Sequence, residues 1–180
     1  MFKFIIVALF TIASLANSRV LMTTNLGDIE LELFDKKAPK TVKNFLEYVE
    51  SGFYNDTIFH RVIDNFMIQG GGFTSNLQKK KTRAPIENEA NNRISNTNGT
   101  VAMARTQDIN SATAQFFINV KDNYFLDHKG AQSFGYAVFG RVVKGMSIVN
   151  RIKKSRISKN GRFENLPTKN IIIKSSRILK

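Results

Sequence analysis

From Val20 onward the apolar residues come in short runs parted by Gly, Asn and Asp, and only two stretches keep a helical spacing. That rhythm constrains the fold more than any other feature. Many short strands with polar turns and few helices predict a closed, mainly β architecture. "VLMTTNLGDIELELF" holds two such runs joined through Asn25-Leu26-Gly27-Asp28, a hairpin signal with glycine in the turn. In the second run Ile29, Leu31 and Leu33 alternate with Glu30 and Glu32, which predicts one buried and one wet face. Further strand-like runs cover 58–62, 66–70, 101–104, 116–120, 136–142 and 171–178. Val42, Phe45, Leu46 and Val49 instead form a helical stripe, with Pro39 placed for the first turn and Gly52 for the end. A second, shorter helix is predicted from Val143 to Ile152. The polar stretch 72–98 reads as loop, and 180 residues without repeat or linker suit one domain.

The first sixteen residues stand apart. A short basic start, Met1-Phe2-Lys3, precedes an almost wholly apolar run from Phe4 to Leu15. Ser14 and Ala16 are small residues at the −3 and −1 positions of a signal-peptidase site. The run is too short for the roughly 20 residues of a membrane-spanning helix. A signal peptide over 1–16, cleaved after Ala16, is therefore expected, ahead of a domain over 17–180. A buried helix and an uncleaved anchor are the competing readings. The mature protein is expected to have no membrane span and to be periplasmic or secreted.

Removing residues 1–16 takes away only Lys3, so the net charge goes from +13 to +12. Such an excess favours anionic surfaces. Its clusters, Lys79 to Arg83 and Lys153 to Arg162, read first as solvated loops, and without aromatic interleaving no specific nucleic-acid partner is expected. The chain has no cysteine, which excludes disulfides, thiolate catalysis and cysteine-based zinc sites. Gly70-Gly71-Gly72 lacks the Lys-Ser/Thr of a phosphate loop, and His60 and His128 have no metal-ligand spacing. No metal and no cofactor are expected. His60 has no triad partner and reads as a structural histidine whose hydrogen bonds are satisfied. What remains is Arg61, Gln69 and Gln115 set against Phe66, Met67, Phe117, Phe125 and Leu126. Inward side chains of two neighbouring strands could converge there, polar groups orienting a peptide and apolar ones holding a side chain; a plain core with a snorkelling arginine is the other reading.

"FHRVIDNFMIQGGGFT", "NGTVAMAR", "QFFINV" and "FGYAVFGRVVKGM" resemble the sequence blocks of cyclophilins, in the same order and at comparable separations. The resemblance runs from about residue 20 to the C-terminus, and "ARTQDINSATAQFF" is most similar to bacterial exported members. It implies a closed eight-stranded antiparallel β-barrel capped by two α-helices, and peptidyl-prolyl cis-trans isomerase activity on proline-containing polypeptides. It assigns catalysis to Arg61 and a proline pocket to Phe66, Met67, Phe117 and Leu126. Gln69, Gln115, Ala104 and Arg105 would anchor the substrate chain. Phe125 stands where many eukaryotic members carry tryptophan, leaving a ring to line the pocket but no indole N–H, so cyclosporin-type inhibitors are expected to bind weakly. Tyr136 would also meet the substrate; it stands where those members have histidine, as Arg105 stands where asparagine is common. A monomer is expected. A non-catalytic peptide-binding or holdase chaperone, and a role for the basic surface in binding nucleic acid or anionic lipid, are the alternatives.

Overall fold

The computed structural model describes residues 17–179, so the expected leader, 1–16, lies outside the described residues. Ten strands and two α-helices follow in the order β1 Arg19–Thr24, β2 Gly27–Leu33, α1 Pro39–Glu50, β3 Thr57–Ile63, β4 Met67–Thr74, β5 Thr100–Met103, β6 Phe116–Asn119, β7 Val138–Lys144, α2 Met146–Lys153, β8 Ile157–Asn160, β9 Phe163–Pro167 and β10 Ile172–Leu179. Eight of the strands close into an antiparallel barrel, β1-β10-β3-β4-β6-β5-β7-β2, with β2 pairing back onto β1. Closure leaves no open edge. The expected eight-stranded barrel is the one observed.

The barrel interior follows from side-chain alternation. Val20 and Met22, Ile29, Leu31 and Leu33, Val101 and Met103, and Phe116 and Ile118 all point into one buried cluster. Helix α1 adds its stripe to that cluster. Phe45 lies 5.2 Å from Tyr54, 5.8 Å from Phe116 and 5.0 Å from Phe139, ring centroid to centroid. Burying a side chain of this size contributes about 1.5–3 kcal/mol, so Phe45 is a main tie between helix and barrel. Helix α2 buries Val149 and Ile152 in the same core.

Three expectations about the secondary structure and its faces need correction. Helix α2 begins at Met146, not Val143, because Val142 and Lys144 pair with β2 and left-handed Gly145 separates strand from helix. Glu30 and Glu32 do not lie on a wet face. Glu30 is only 6 % exposed, held by Arg19 at 3.2 Å and Lys144 at 2.8 Å, and Arg141 meets Glu32 at 2.7 Å. The cations come from β1 and β7, the two neighbours of β2, and the Lys144 hydrogen bond above all holds the Glu30 carboxyl below its usual range. Part of the C-terminal basic stretch, finally, is a hairpin, β8–β9, outside the barrel.

That hairpin packs on β3. Leu166 is buried with Ile58 and Phe73, and Phe163 packs against the same group. His60 sits beside it, 4.7 Å from the Phe73 ring and 6.0 Å from Phe163. As expected it is buried, but it is not satisfied: Nδ1 has no hydrogen-bond partner among the described residues. Burial, aided by the charges of Arg61 and Arg162, lowers its pKa from 6.5 to about 4. Between those two values the unfolded chain takes up a proton that the folded protein refuses. His60 therefore costs nothing above pH 6.5, and stability is lost as the pH falls from there towards 4. The gap corresponds to about 3 kcal/mol. Denaturant unfolding across this window should show His60→Gln losing less stability than the parent, each referred to its own value at neutral pH; parallel profiles would refute the neutral buried imidazole.

Candidate active site

The residues that face into the barrel alternate with residues that face out. On β4, Ile68 belongs to the core, whereas Met67 and Gln69 flank it on the other face. On β6 the same alternation turns Phe117 outward between Phe116 and Ile118. Pairing aligns Gln69 with Phe117, and Phe117 in turn with Ala102 on β5. Arg61 on β3 is placed opposite Gln69. The register shifts between Phe59 and Arg61, so Phe59 and His60 are both buried while Arg61 is exposed. A bulge of this kind re-aims a side chain that strict alternation would place elsewhere.

These side chains enclose a cavity of about 100 Å³, lined by Arg61, Phe66, Met67, Gln69, Ala104, Arg105, Phe117, Leu126 and Tyr136. Its floor is apolar and rigid: Met67 and Phe117 are buried, and the Phe117 and Tyr136 rings meet edge to face at 5.6 Å. Arg61 stands at the wall. Its Nη1 donates to Gln69 Oε1 at 3.4 Å, and its guanidinium lies 5.8 Å from the Phe66 ring centroid. Among the described residues no carboxylate pairs with it, so most of its donors remain free for a bound molecule. Gln69 in turn donates from Nε2 to Gln115 Oε1 at 2.9 Å.

Two glycines of β4 make this arrangement fit. A Cβ on Gly72 would lie 2.5 Å from the Gln115 side chain, and one on Gly71, at φ +78°, would lie 2.8 Å from the Tyr54 ring. A side chain at Gly72 would displace the glutamine that buttresses Gln69, and one at Gly71 would press on the core rings of Tyr54 and Phe116.

Opposite Arg61, the guanidinium of Arg105 lies over Tyr136 at 4.7 Å and donates to the carbonyls of Gly135 at 3.0 Å and Thr106 at 2.9 Å. Behind the apolar floor runs a buried amide network. Asn119 Nδ2 donates to Thr100 Oγ1 at 2.9 Å, and Asn123 Nδ2 to Asn119 Oδ1 and to the Phe66 carbonyl, both at 2.8 Å. Asn96 donates from its backbone to Asp127 Oδ1 at 2.7 Å. This network fixes Phe66 and the turn carrying Leu126, and sequence reasoning missed it. Its signal was the asparagine recurring around β5 and β6, at 96, 119 and 123.

The structure thus brings nine of the expected residues into one cavity. It places two outside it. Phe125 is 62 % exposed, stacked on Phe66 at 5.6 Å, and touches the cavity only through that ring. Gln115 lines a neighbouring cavity and reaches this one through Gln69. Among the described residues no cluster of three His, Asp or Glu is arranged to hold a metal ion.

A free guanidinium over a small apolar cavity, with amides alongside and no nucleophile, suits stabilising a ring-bearing polar group without bonding to it. Comparisons with known proteins point the same way. Residues 19–178 match the family model described as cyclophilin type peptidyl-prolyl cis-trans isomerase/CLD. Peptidyl-prolyl cis-trans isomerase A of Dickeya dadantii is 55 % identical over 168 residues, covering 93 % of this chain and 88 % of that protein. Peptidyl-prolyl cis-trans isomerase B of Escherichia coli is 56 % identical over 154 residues, covering 84 % and 94 %. The crystal structure of a Cryptosporidium parvum cyclophilin type isomerase superposes with a TM-score of 0.74 at 29 % identity, covering 91 % of this chain and 98 % of that one. The chain belongs to the cyclophilin family of peptidyl-prolyl cis-trans isomerases, enzymes that rotate X–Pro bonds between their two planar forms.

Proposed function

We propose that Arg61 carries the isomerisation by donating a hydrogen bond to the prolyl nitrogen of a twisted amide, in the service of folding exported proteins. Rotation about an X–Pro bond is slow because it breaks amide resonance, at a barrier of about 18–20 kcal/mol. When the amide twists, its nitrogen becomes pyramidal and recovers a lone pair. A guanidinium can donate to that lone pair, whereas in the planar ground state the pair is delocalised and accepts poorly. The interaction is stronger at the transition state, which is the condition for acceleration.

One hydrogen bond does not suffice. A turnover on the order of 10³ per second corresponds to a barrier near 13 kcal/mol, so roughly 6 must be removed. A charge-assisted hydrogen bond supplies about 1.5–3. Holding the proline ring against Met67 and Phe117, with the chain fixed beside Gln69, Ala104 and Arg105, provides the orientation that covers the rest. The observation that carries this reading is the Arg61 guanidinium at the wall of the apolar cavity, free of any carboxylate among the described residues. The Cryptosporidium parvum relative has also been crystallised in the presence of the dipeptide Ala-Pro, which supports a proline occupant.

Arg61→Ala should lower kcat/KM for a prolyl peptide by about 10- to 100-fold, mostly through kcat. Because Arg61 is exposed, the unfolding midpoint should barely move. Exchange spectroscopy on a prolyl peptide checks this, and unchanged turnover would remove Arg61 from the mechanism. Phe125 is exposed enough to accept a larger ring. Phe125→Trp should restore an indole donor and tighten cyclosporin binding by about 2- to 10-fold in a fluorescence titration; equal affinity would mean the indole N–H is not what tryptophan contributes. Export rests on residues 1–16. N-terminal sequencing of the protein from its own cells should find Asn17 first, and an intact Met1 would overturn the exported setting.

A further inference from the structure

A second cavity, of about 450 Å³, shares a wall with the first. Arg61 lines both. The hydrogen-bonded amides of Gln69 and Gln115 span the divide, Gln69 lining the proline cavity and Gln115 the second. Its outer wall is the β8–β9 hairpin, through Arg162, Phe163 and Glu164. Nothing in the isomerisation step uses it.

Three cations line it: Arg61, Lys79 and Arg162. Among the described residues none of them is paired with a carboxylate. The one carboxylate in the lining, Glu164, lies 3.7 Å from Lys159, a residue outside the lining. Arg162 is also held in a defined pose, its guanidinium 5.1 Å from the Phe73 ring centroid and 5.2 Å from that of Phe163. Because those two rings stand at 89° to each other, at most one of them can stack on the guanidinium; among the described residues no carboxylate takes its N–H groups, which can donate to one as a fork. His60, 5 % exposed, lines the cavity as well, and its Nδ1 has no partner among the described residues.

We infer that this cavity receives an acidic side chain, Asp or Glu, carried by the client polypeptide close to the isomerising proline. The inference rests on the prolyl-site reading above, since the shared Arg61 is what makes the two occupants parts of one chain. The aromatic edges of Phe73 and Phe163 give the methylenes of such a side chain an apolar surface, and the cations surround its carboxylate. The protein then favours clients with an acidic residue beside the proline, a preference created by a hairpin outside the barrel. A free anion would gain the charge contacts without the tether supplied by the bound proline, and a phosphate or nucleic acid would be indifferent to where the proline lies.

The test uses labelled peptides with one proline and a Glu placed in turn at each nearby position on either side, each matched by the same peptide with Gln. Chemical-shift titration gives Kd, and exchange spectroscopy on the same samples gives the isomerisation rate. At one position Glu should bind about tenfold more tightly than Gln, and the preference should shrink as salt rises. Arg162→Gln should reduce the preference to about twofold. Lys79→Gln, at an exposed position beyond the hairpin, should reduce it in part and serves as the check should Arg162→Gln disturb the hairpin. A ratio of one at every position overturns the inference, as does a preference that survives both substitutions. If no peptide isomerises faster, the prolyl reading fails, while the Kd ratio still decides the cavity.

Discussion

Side-chain alternation on a single pair of strands is the constraint from which the rest of the molecule follows. On β4 and β6 one set of residues, Ile68, Phe116 and Ile118, fills the barrel, and the intervening set, Met67, Gln69 and Phe117, floors the proline cavity. A slip of one residue in either strand would exchange the two sets, putting a glutamine in the core and a core phenylalanine on the surface. Stability of the fold and placement of the site are therefore one specification. This explains how a small barrel can hold a rigid site without dedicated scaffolding: the wall that supports Met67 and Phe117 from behind is the hydrophobic core.

Alternation alone does not place Arg61, and two local departures do. The register shift on β3 lets His60 be buried next to an exposed Arg61, and the missing side chain of Gly72 lets Gln115 lie across β4. Both departures cost backbone regularity, and both are confined to the stretch that borders the two cavities. The amide network of Asn96, Asn119 and Asn123 gives the compensating order behind the floor, tying the Phe66 carbonyl to the barrel.

How much of this was legible in the sequence depended on whether a signal was local. The barrel strands and α1 were readable because each carries its own periodicity. The start of α2 is not legible, because Val143 falls three residues before Met146 and continues the helical spacing although it belongs to β7. The β8–β9 hairpin reads as solvated loop because every residue of β8 is exposed, which erases alternation; the Asn160-Gly161 turn signal is there but has no apolar pattern beside it. Glu30 looked wet because a strand read alone does not reveal the cations of its neighbours. In the site, nine residues assembled as the resemblance implied, while the seats of Gln115 and Phe125 depended on cross-strand and stacking contacts that no spacing encodes.

The charge state of the site fits chemistry in which no proton or bond needs to be passed. A titrating neighbour would add or withdraw charge beside Arg61 near neutral pH and change how strongly its guanidinium attracts a transient lone pair. His60 is the group adjacent in sequence that could do so, and burial with the charges of Arg61 and Arg162 keeps it neutral down to about pH 4. The remaining contacts of the proline cavity are amides, methylenes, thioether and rings, apart from Arg105, whose guanidinium is occupied by backbone carbonyls and Tyr136. Arg61 thus faces the cavity as a fixed donor whose strength depends on substrate geometry, greatest when the amide is half-rotated. Pre-set electrostatics of this kind need a stiff frame more than a reactive group, which returns catalysis to the packing that holds β4 and β6 in register.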